Sequence, residues 1–162
     1  MISICKYRLK KDKGGRYHIR SYEIIPCPVC GGVLIVIGIR DRGFIDSKGR
    51  RVILVIRRLR CQNCHVIHHE LPEIIVPYKR HCAKTIEKIV TGKSGGVPCE
   101  TRTIHRIRAW WAVCIVYFRN ALASLREKYG VEFSKKPAPK EIIRAVVNAH
   151  LWIHTRTAYM TG

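Results

Sequence analysis

The chain has 162 residues, which suits one domain or two small ones. It carries 31 lysines and arginines against 11 acidic residues, and this formal net charge of +20 favours a polyanionic partner, most often nucleic acid. The longest apolar run, at 33–39, is too short for a transmembrane helix, and the basic first ten residues hold no apolar stretch of signal length. We therefore expect no membrane association and a cytoplasmic location, where the eight cysteines bind metal or are buried.

The first 25 residues are predicted to form a basic β-hairpin. Strand formers dominate 2–9 and alternate with polar residues over 17–24, and a turn sequence at 11–15 separates the two strands. We expect this hairpin to pair with the sheet that follows it. Cys5, within its first strand, is expected to pack rather than to bind metal.

Two Cys-x-x-Cys pairs follow, Cys27 with Cys30 and Cys61 with Cys64. Cysteines at this spacing can form a tight knuckle that presents both sulfurs to one ion, and two knuckles supply the four ligands of a structural zinc site. The alternative is four unrelated buried cysteines. Because the pairs flank a predicted hairpin, we predict one structural Zn²⁺ held by all four thiolates.

The residues next to the cysteines suit such knuckles. Gly31 and Gly32 allow the sharp turn after the first pair. His65 follows the second pair, and histidine tolerates the left-handed region better than most residues.

The segment between the cysteine pairs predicts two strands and a turn. Residues 33–40 are strongly apolar, 46–49 form a turn sequence, and 51–60 return with apolar residues on both faces. The middle of this sheet is therefore expected to be covered on both sides. The return strand ends in three arginines that are either a solvated strand end or phosphate contacts beside the metal site: Arg57, Arg58 and Arg60.

Beyond the second cysteine pair, Val66 and Ile67 can extend the sheet as a third strand. The sequence His-His-Glu at 68–70 lacks the order of a metalloprotease motif and does not lie on a predicted helix. Residues 73–76 lie between two prolines and predict a short extended linker.

Two helices are predicted next. Residues 78–91 carry an apolar stripe and end at the glycine-rich 91–98, and 101–129 repeat apolar residues at steps of three and four. Gly130 can stop the second helix. Its outward residues near the start are basic: Arg102, His105, Arg106 and Arg108.

A short helix, a glycine-containing turn and a helix with arginines in its first turns are typical of a helix-turn-helix. The alternative is a plain helix pair with a solvated basic face. The net charge of +20 favours DNA binding.

A stiff linker at 134–139 then leads to a final helix, predicted from 140 to about 159. In this helix His150 and His154 are expected to pack rather than to bind metal.

Cys-Pro-x-Cys-Gly at 27–31, the long hairpin, Arg-Arg-Leu-Arg-Cys-x-Asn-Cys at 57–64 and Leu-Pro at 71–72 resemble the zinc-ribbon start of insertion-sequence transposases. The sequences at 76–80 and 99–106 resemble a family of uncharacterised bacterial proteins that join such a ribbon to a helix-turn-helix. The resemblance implies recognition of DNA. It carries over the four cysteines and no catalytic residue, because the transposases' acidic catalytic domain has no counterpart here.

We therefore predict an α+β fold: an antiparallel zinc-ribbon sheet with its hairpin over 1–76, an all-helical helix-turn-helix region over 77–133, and a C-terminal helix over 134–162. The predicted function is sequence-specific binding of double-stranded DNA, without enzymatic activity. A mobile-element or phage regulator, or an accessory factor of recombination or transposition, fits this prediction.

The partners and two alternatives stay open. A recombinase or transposase is a candidate protein partner, and a homodimer is compatible with the sequence. The first alternative is a protein-interaction module that binds a recombinase or polymerase. The second is an RNA-binding protein in which Trp110, Trp111 and Tyr117 stack on bases.

Overall fold

The computed structural model describes residues 1–153. Within this range the strands precede the helices along the chain. The elements are β1 (Ile2–Ile4), β2 (Tyr7–Lys11), β3 (Tyr17–Ser21), β4 (Leu34–Ile45), β5 (Arg51–Cys61), β6 (Ile67–Pro72), α1 (Ala83–Val90), α2 (Thr101–Tyr129) and α3 (Pro139–Asn148).

The six strands form one mixed sheet that curves into a half-barrel. Its order is β1-β6-β5-β3-β2, and β4 pairs with β5 outside this path. The β1–β6 and β3–β5 pairs are parallel, whereas β2–β3, β4–β5 and β5–β6 are antiparallel. β5 is the organising strand, because its first half pairs with β3, its last residues pair with β6, and β4 follows its whole length.

The predicted antiparallel zinc-ribbon sheet followed by a helix-turn-helix is wrong. The chain splits the predicted first strand in two: β2 pairs with β3, but β1 lies parallel to β6. The physical reason is burial, since Ile2 and Ile4 are 1% and 0% exposed while β2 is mostly exposed. An apolar strand covered on both faces is typical of a parallel pairing inside a domain.

The helices also depart from a helix-turn-helix, in which a turn of three or four residues joins the two helices. Here α1 has eight residues, and the glycine-rich segment 91–100 separates it from α2. α2 has 29 residues and buries a stripe along most of its length against α1 and α3. The contacts of α2 with α1 and α3 fix its orientation. α2 is therefore the central helix of the helical cluster and not a recognition helix that follows a tight turn.

Several local predictions are confirmed. The β4–β5 turn is at the predicted place, where the Asp46 side chain accepts hydrogen bonds from the backbone N–H groups of Lys48 and Arg50. The long helix has the predicted bounds, and Gly130 ends it in the left-handed conformation, with φ of 63°.

The last helix is shorter than predicted. It ends at Asn148, and residues 149–153 are not helical. His154 lies outside the described residues.

Two apolar clusters stabilise the fold. One joins the three helices around Phe118, and the other lies under the sheet around Leu54. The predicted cover on both sides holds for the middle of β5, where residues 54–56 are buried, but the first half of β4 is largely exposed. α3 is attached to the sheet by Asn148, whose side chain accepts from Ser3 N at 2.6 Å and donates to Ser3 O at 3.0 Å.

Candidate metal centre and arginine face

The two cysteine pairs meet in one cluster. The sulfur atoms of Cys27, Cys30, Cys61 and Cys64 all lie within 4.8 Å of one another. Cys27 Sγ is 3.6 Å from Cys64 Sγ, and Cys30 Sγ is 3.4 Å from Cys61 Sγ. The antiparallel pairing of β4 with β5 brings the loop before β4 beside the end of β5. The cluster is therefore able to hold one metal ion.

The two knuckles have the same backbone turn. Gly31 N donates to Cys27 O at 2.8 Å, and His65 N donates to Cys61 O at 3.1 Å. Both turning residues are left-handed, with φ of 74° for Gly31 and 60° for His65. The predicted tolerance of histidine at this position is confirmed.

Gly32 has a different role, because it allows the two knuckles to approach each other closely. A Cβ atom on Gly32 would lie 2.8 Å from Asn63 Cγ and 3.0 Å from Cys61 Sγ. The first knuckle therefore packs directly on the second. Gln62 N donates to Val33 O at 2.9 Å and joins the two knuckles through the backbone.

The thiols suit a soft metal ion. Burial opposes ionisation of Cys61, but the backbone N–H groups of Cys64 and Asn63 and the Cys30 side chain lower its pKa to about 6. The backbone N–H of Val66 favours ionisation of Cys64, but burial and hydrogen bonds with Cys30, Cys61 and Cys27 raise the pKa of Cys64 to about 12. Metal ions bind the thiolate form, so a metal replaces the proton of Cys61 more readily than that of Cys64. Four cysteine sulfurs are a donor set that fits a tetrahedral soft ion.

A histidine missed by the sequence analysis contacts this cluster. His68 is 1% exposed, and its Nε2 lies 3.4 Å from Cys27 Sγ. Met1 N lies 3.2 Å from His68 Nδ1, and burial lowers the pKa of the Met1 amine. An amine that donates to Nδ1 leaves the ring proton on Nε2, which faces the sulfur. Burial, the Met1 nitrogen and nearby histidines lower the pKa of His68 to about 4, so the ring is neutral near pH 7.

Strand alternation could have indicated this contact. His68 lies opposite Leu59 in the β5–β6 register, and Leu59 is two residues before Cys61. Residues two apart share a face of a sheet, so His68 is on the same face as Cys61. The position of Cys27 beside it depends on the loop before β4, which the alternation does not predict.

Arg57 and Arg58, predicted as phosphate contacts, lie on opposite faces of β5. The guanidinium of Arg57 donates twice to Glu70, from Nε to Oε2 at 2.7 Å and from Nη2 to Oε1 at 2.6 Å. Glu70 is 1% exposed. Arg57 is therefore engaged with a buried carboxylate inside the protein.

The other face carries basic side chains from three neighbouring strands. Arg58 lies opposite Gly38 on β4 and His69 on β6, Arg60 lies opposite Ile35 and Ile67, and Arg40 is two residues beyond Gly38 on the same face. We call this set the arginine face: Arg40, Arg58, Arg60 and His69.

The arginine face has an uncompensated positive charge. Within residues 1–153, none of its three arginines has a carboxylate oxygen within 4.0 Å. Burial lowers the pKa of His69, and so do Arg40 and Arg58. A shallow cavity of about 430 Å³ lies between Arg40, Arg58 and His69. This surface can receive an anion.

The four basic residues at the start of α2 differ in their surroundings. Arg102, His105 and Arg106 are exposed, as predicted for an outward face. Arg108 instead donates from Nη2 to Ser94 Oγ at 2.9 Å and from Nε to Ile89 O at 3.4 Å, which ties the 91–100 segment to α2. Contact of these residues with DNA stays a prediction.

The aromatic residues of the RNA-binding alternative are mainly core residues. Trp110 is 5% exposed, and Lys79 Nζ lies 3.9 Å from its ring centroid. Trp111 is half-buried and packs against the helical cluster. Tyr117 is more exposed, and its hydroxyl donates to Leu151 O at 3.1 Å.

The chain belongs to the family described as Domain of unknown function (DUF6431), whose model matches residues 27–107. The match begins at the first cysteine of the cluster and ends within the first turns of α2, so it includes the four cysteines and the arginine face. No curated protein and no solved structure matches the chain. Among residues 1–153, no helix is long and apolar enough to cross a membrane.

Proposed function

We propose that this protein binds double-stranded DNA and that one structural Zn²⁺ holds the part of the fold that presents the binding surface. The observation that carries the proposal is the arginine face, which lies on the strands whose ends form the cysteine cluster.

Zinc is supported by the donor set. Four thiolates complete a tetrahedral shell and leave no open position for a substrate or water, which is typical of structural rather than catalytic zinc. Two of the four cysteines are buried, Cys27 at 2% and Cys61 at 0% exposed. Zinc at such a site contributes on the order of 10 kcal/mol to folding.

DNA is supported by the distribution of ion pairs. Arg16, Arg50, Arg57 and Arg144 each bond a carboxylate at 2.6–3.2 Å. The arginines of the arginine face have no such partner within the described residues and lie close to one another. Phosphate groups would relieve this repulsion, and arginine binds phosphate in two-pronged geometry.

The exposed arginines at the start of α2 support recognition of the DNA base sequence. Arg102 and Arg106 are exposed and lie on one side of the helix, four residues apart. An arginine in the major groove can donate two hydrogen bonds to a guanine, worth about 1–3 kcal/mol of discrimination. We propose that α2 supplies the sequence preference and the arginine face supplies phosphate contacts. The role in regulation, recombination or transposition rests on the resemblance to transposase ends alone.

The test is a salt-dependent titration of a fluorescent random-sequence DNA duplex. We expect Arg58→Ala with Arg60→Ala to weaken binding and to reduce the log–log salt slope by about 2, because each lost phosphate contact reduces it by about 0.9. The matched control, Lys135→Ala with Lys136→Ala, removes the same charge from an exposed segment. It should change the slope much less.

Two results would contradict the proposal. Equal losses in both double variants would mean that net charge alone attracts DNA, without a defined surface. Tighter binding to single-stranded RNA than to duplex DNA at the same salt would favour the RNA-binding alternative.

A further inference from the structure

β4 is an edge strand with an open side. It pairs with β5 along its length, and among the described residues no strand lies beside it on the other side. On this outer side, the first backbone hydrogen bonds are those of Ile45. Its N–H donates to Arg80 O at 2.8 Å, and its carbonyl oxygen accepts from Cys82 N at 2.9 Å. Between 34 and 40, every second residue therefore points its N–H and C=O groups away from the sheet.

Exposed apolar side chains mark the same stretch. Ile35 is 43% exposed, Val36 52%, Ile37 40% and Ile39 61%. Natural edge strands are normally short, covered or charged, because an open apolar edge pairs with other chains. A β-bulge between Val36 and Gly38 is the one irregularity in the β4–β5 register. We call residues 34–40 the β4 edge.

The bulge sorts the side chains of this edge onto two unlike faces. Val36 lies opposite Leu59 and Ile39 opposite Arg57, and these two β5 residues share one face of the sheet. Arg40, opposite Ile56, lies on the other face, where the arginine face continues onto β5 and β6. An added strand would thus meet Val36 and Ile39 on one face, and Ile35 followed by the positive charge of Arg40 on the other.

The charge of the β4 edge indicates which partner it can bind. A second copy of the chain would bring another +20 of net charge to an edge that ends in exposed Arg40. The only carboxylate on β4 is Asp41, which is already 3.7 Å from Arg16 Nη1. DNA supplies negative charge but no strand that could pair with the backbone. An extended peptide with apolar and acidic residues in alternation satisfies the backbone, the apolar face and the charged face together.

We propose that the β4 edge docks an extended segment of a partner protein, with apolar and acidic residues in alternation, as an added strand of the sheet. This inference adds a protein partner to the proposed function, and the acidic residues of that partner would compete with DNA phosphates for the arginine face.

The test uses three synthetic peptides of about nine residues, which is within the usual range of strand lengths. The first alternates valine and glutamate, the second alternates valine and lysine, and the third is the first with alternate backbone amides methylated. Binding to the full chain is followed by fluorescence anisotropy, and its position by hydrogen exchange. We expect the valine–glutamate peptide alone to bind and to protect the amides of the β4 edge.

A matched pair of variants tests the surface. Ile39→Lys puts a like charge on the β4 edge, and we expect it to weaken the valine–glutamate peptide by about tenfold or more. Val113→Lys is the control, because Val113 on α2 is 62% exposed and Ile39 is 61% exposed. The methylated peptide tests backbone pairing even if a variant fails to fold.

Three outcomes would overturn the proposal. Equal binding of the methylated peptide would mean attraction by charge without strand pairing. Protection of the β4 edge by duplex DNA, lost in Ile39→Lys, would assign the edge to DNA. A concentration-dependent dimer that Ile39→Lys abolishes would assign it to a second copy of the chain.

Discussion

At the scale of single residues, the adjacent histidines 68 and 69 show how a strand separates two roles. His68 is buried with its Nε2 3.4 Å from Cys27 Sγ, whereas His69 lies on the arginine face. A hydrogen bond to a thiolate ligand stabilises its charge and holds its orientation, and such outer contacts matter to metal sites almost as much as the ligands themselves.

We predict that His68→Phe weakens metal binding by about 10-fold to 100-fold, because the phenyl ring keeps the apolar volume but removes the N–H donated to Cys27. The measurement is competition with a chelator for Zn²⁺, together with the thiolate absorption of the Co²⁺ form. His69→Phe on the same strand is the control. Equal affinity of the two variants would show that the contact does not support the metal.

At the scale of elements, β5 and β6 are joined by the buried ion pair of Arg57 and Glu70. The Glu70 carboxylate is 2% exposed and accepts both hydrogen bonds from one guanidinium. A buried carboxylate without its partner is costly, so this pair stabilises one register of β6 on β5. The neighbouring Arg58 has no such partner among the described residues.

Arg57→Ala should therefore lower the free energy of unfolding by about 3 kcal/mol, because it leaves a buried charge unpaired. Arg58→Ala should change it by about 0.5 kcal/mol or less, as is usual for surface substitutions. Urea unfolding of the metal-loaded protein measures both. Equal stability of the two variants would mean that solvent reaches Glu70 when Arg57 is absent.

At the scale of the whole molecule, the charge of +20 is only partly balanced within the fold. The carboxylates of Asp12, Asp41, Asp46, Glu70 and Glu23 are paired inside the described residues, which leaves most basic side chains facing one another through solvent. Self-repulsion of this kind destabilises the compact state, and salt screens it.

We predict that raising NaCl from about 0.05 M to about 0.5 M raises the Tm of the free protein while it weakens the DNA complex. Thermal unfolding followed by circular dichroism measures the first effect, and anisotropy measures the second. A Tm that falls with salt would show that attractive ion pairs outweigh repulsion among the arginines.

The sequence by itself determined the features that depend on residues close together in the chain. The Cys-x-x-Cys spacing, the left-handed residues after each pair, the 46–49 turn and the bounds of α2 all follow from local geometry, and the structure agrees with each. The three arginines at the end of β5 were predicted as one group, and only the structure separates Arg57, which bonds Glu70, from Arg58 and Arg60 on the other face.

Only the tertiary structure decided which distant segments meet. The parallel pairing of β1 with β6, the contact of His68 with Cys27 and the open side of β4 all join or separate residues far apart in the chain. An apolar run such as 33–39 predicts a strand equally well at the centre or the edge of a sheet. Its position depends on which strands pair with the two sides of β5, and that pairing depends on the burial of side chains in the complete fold.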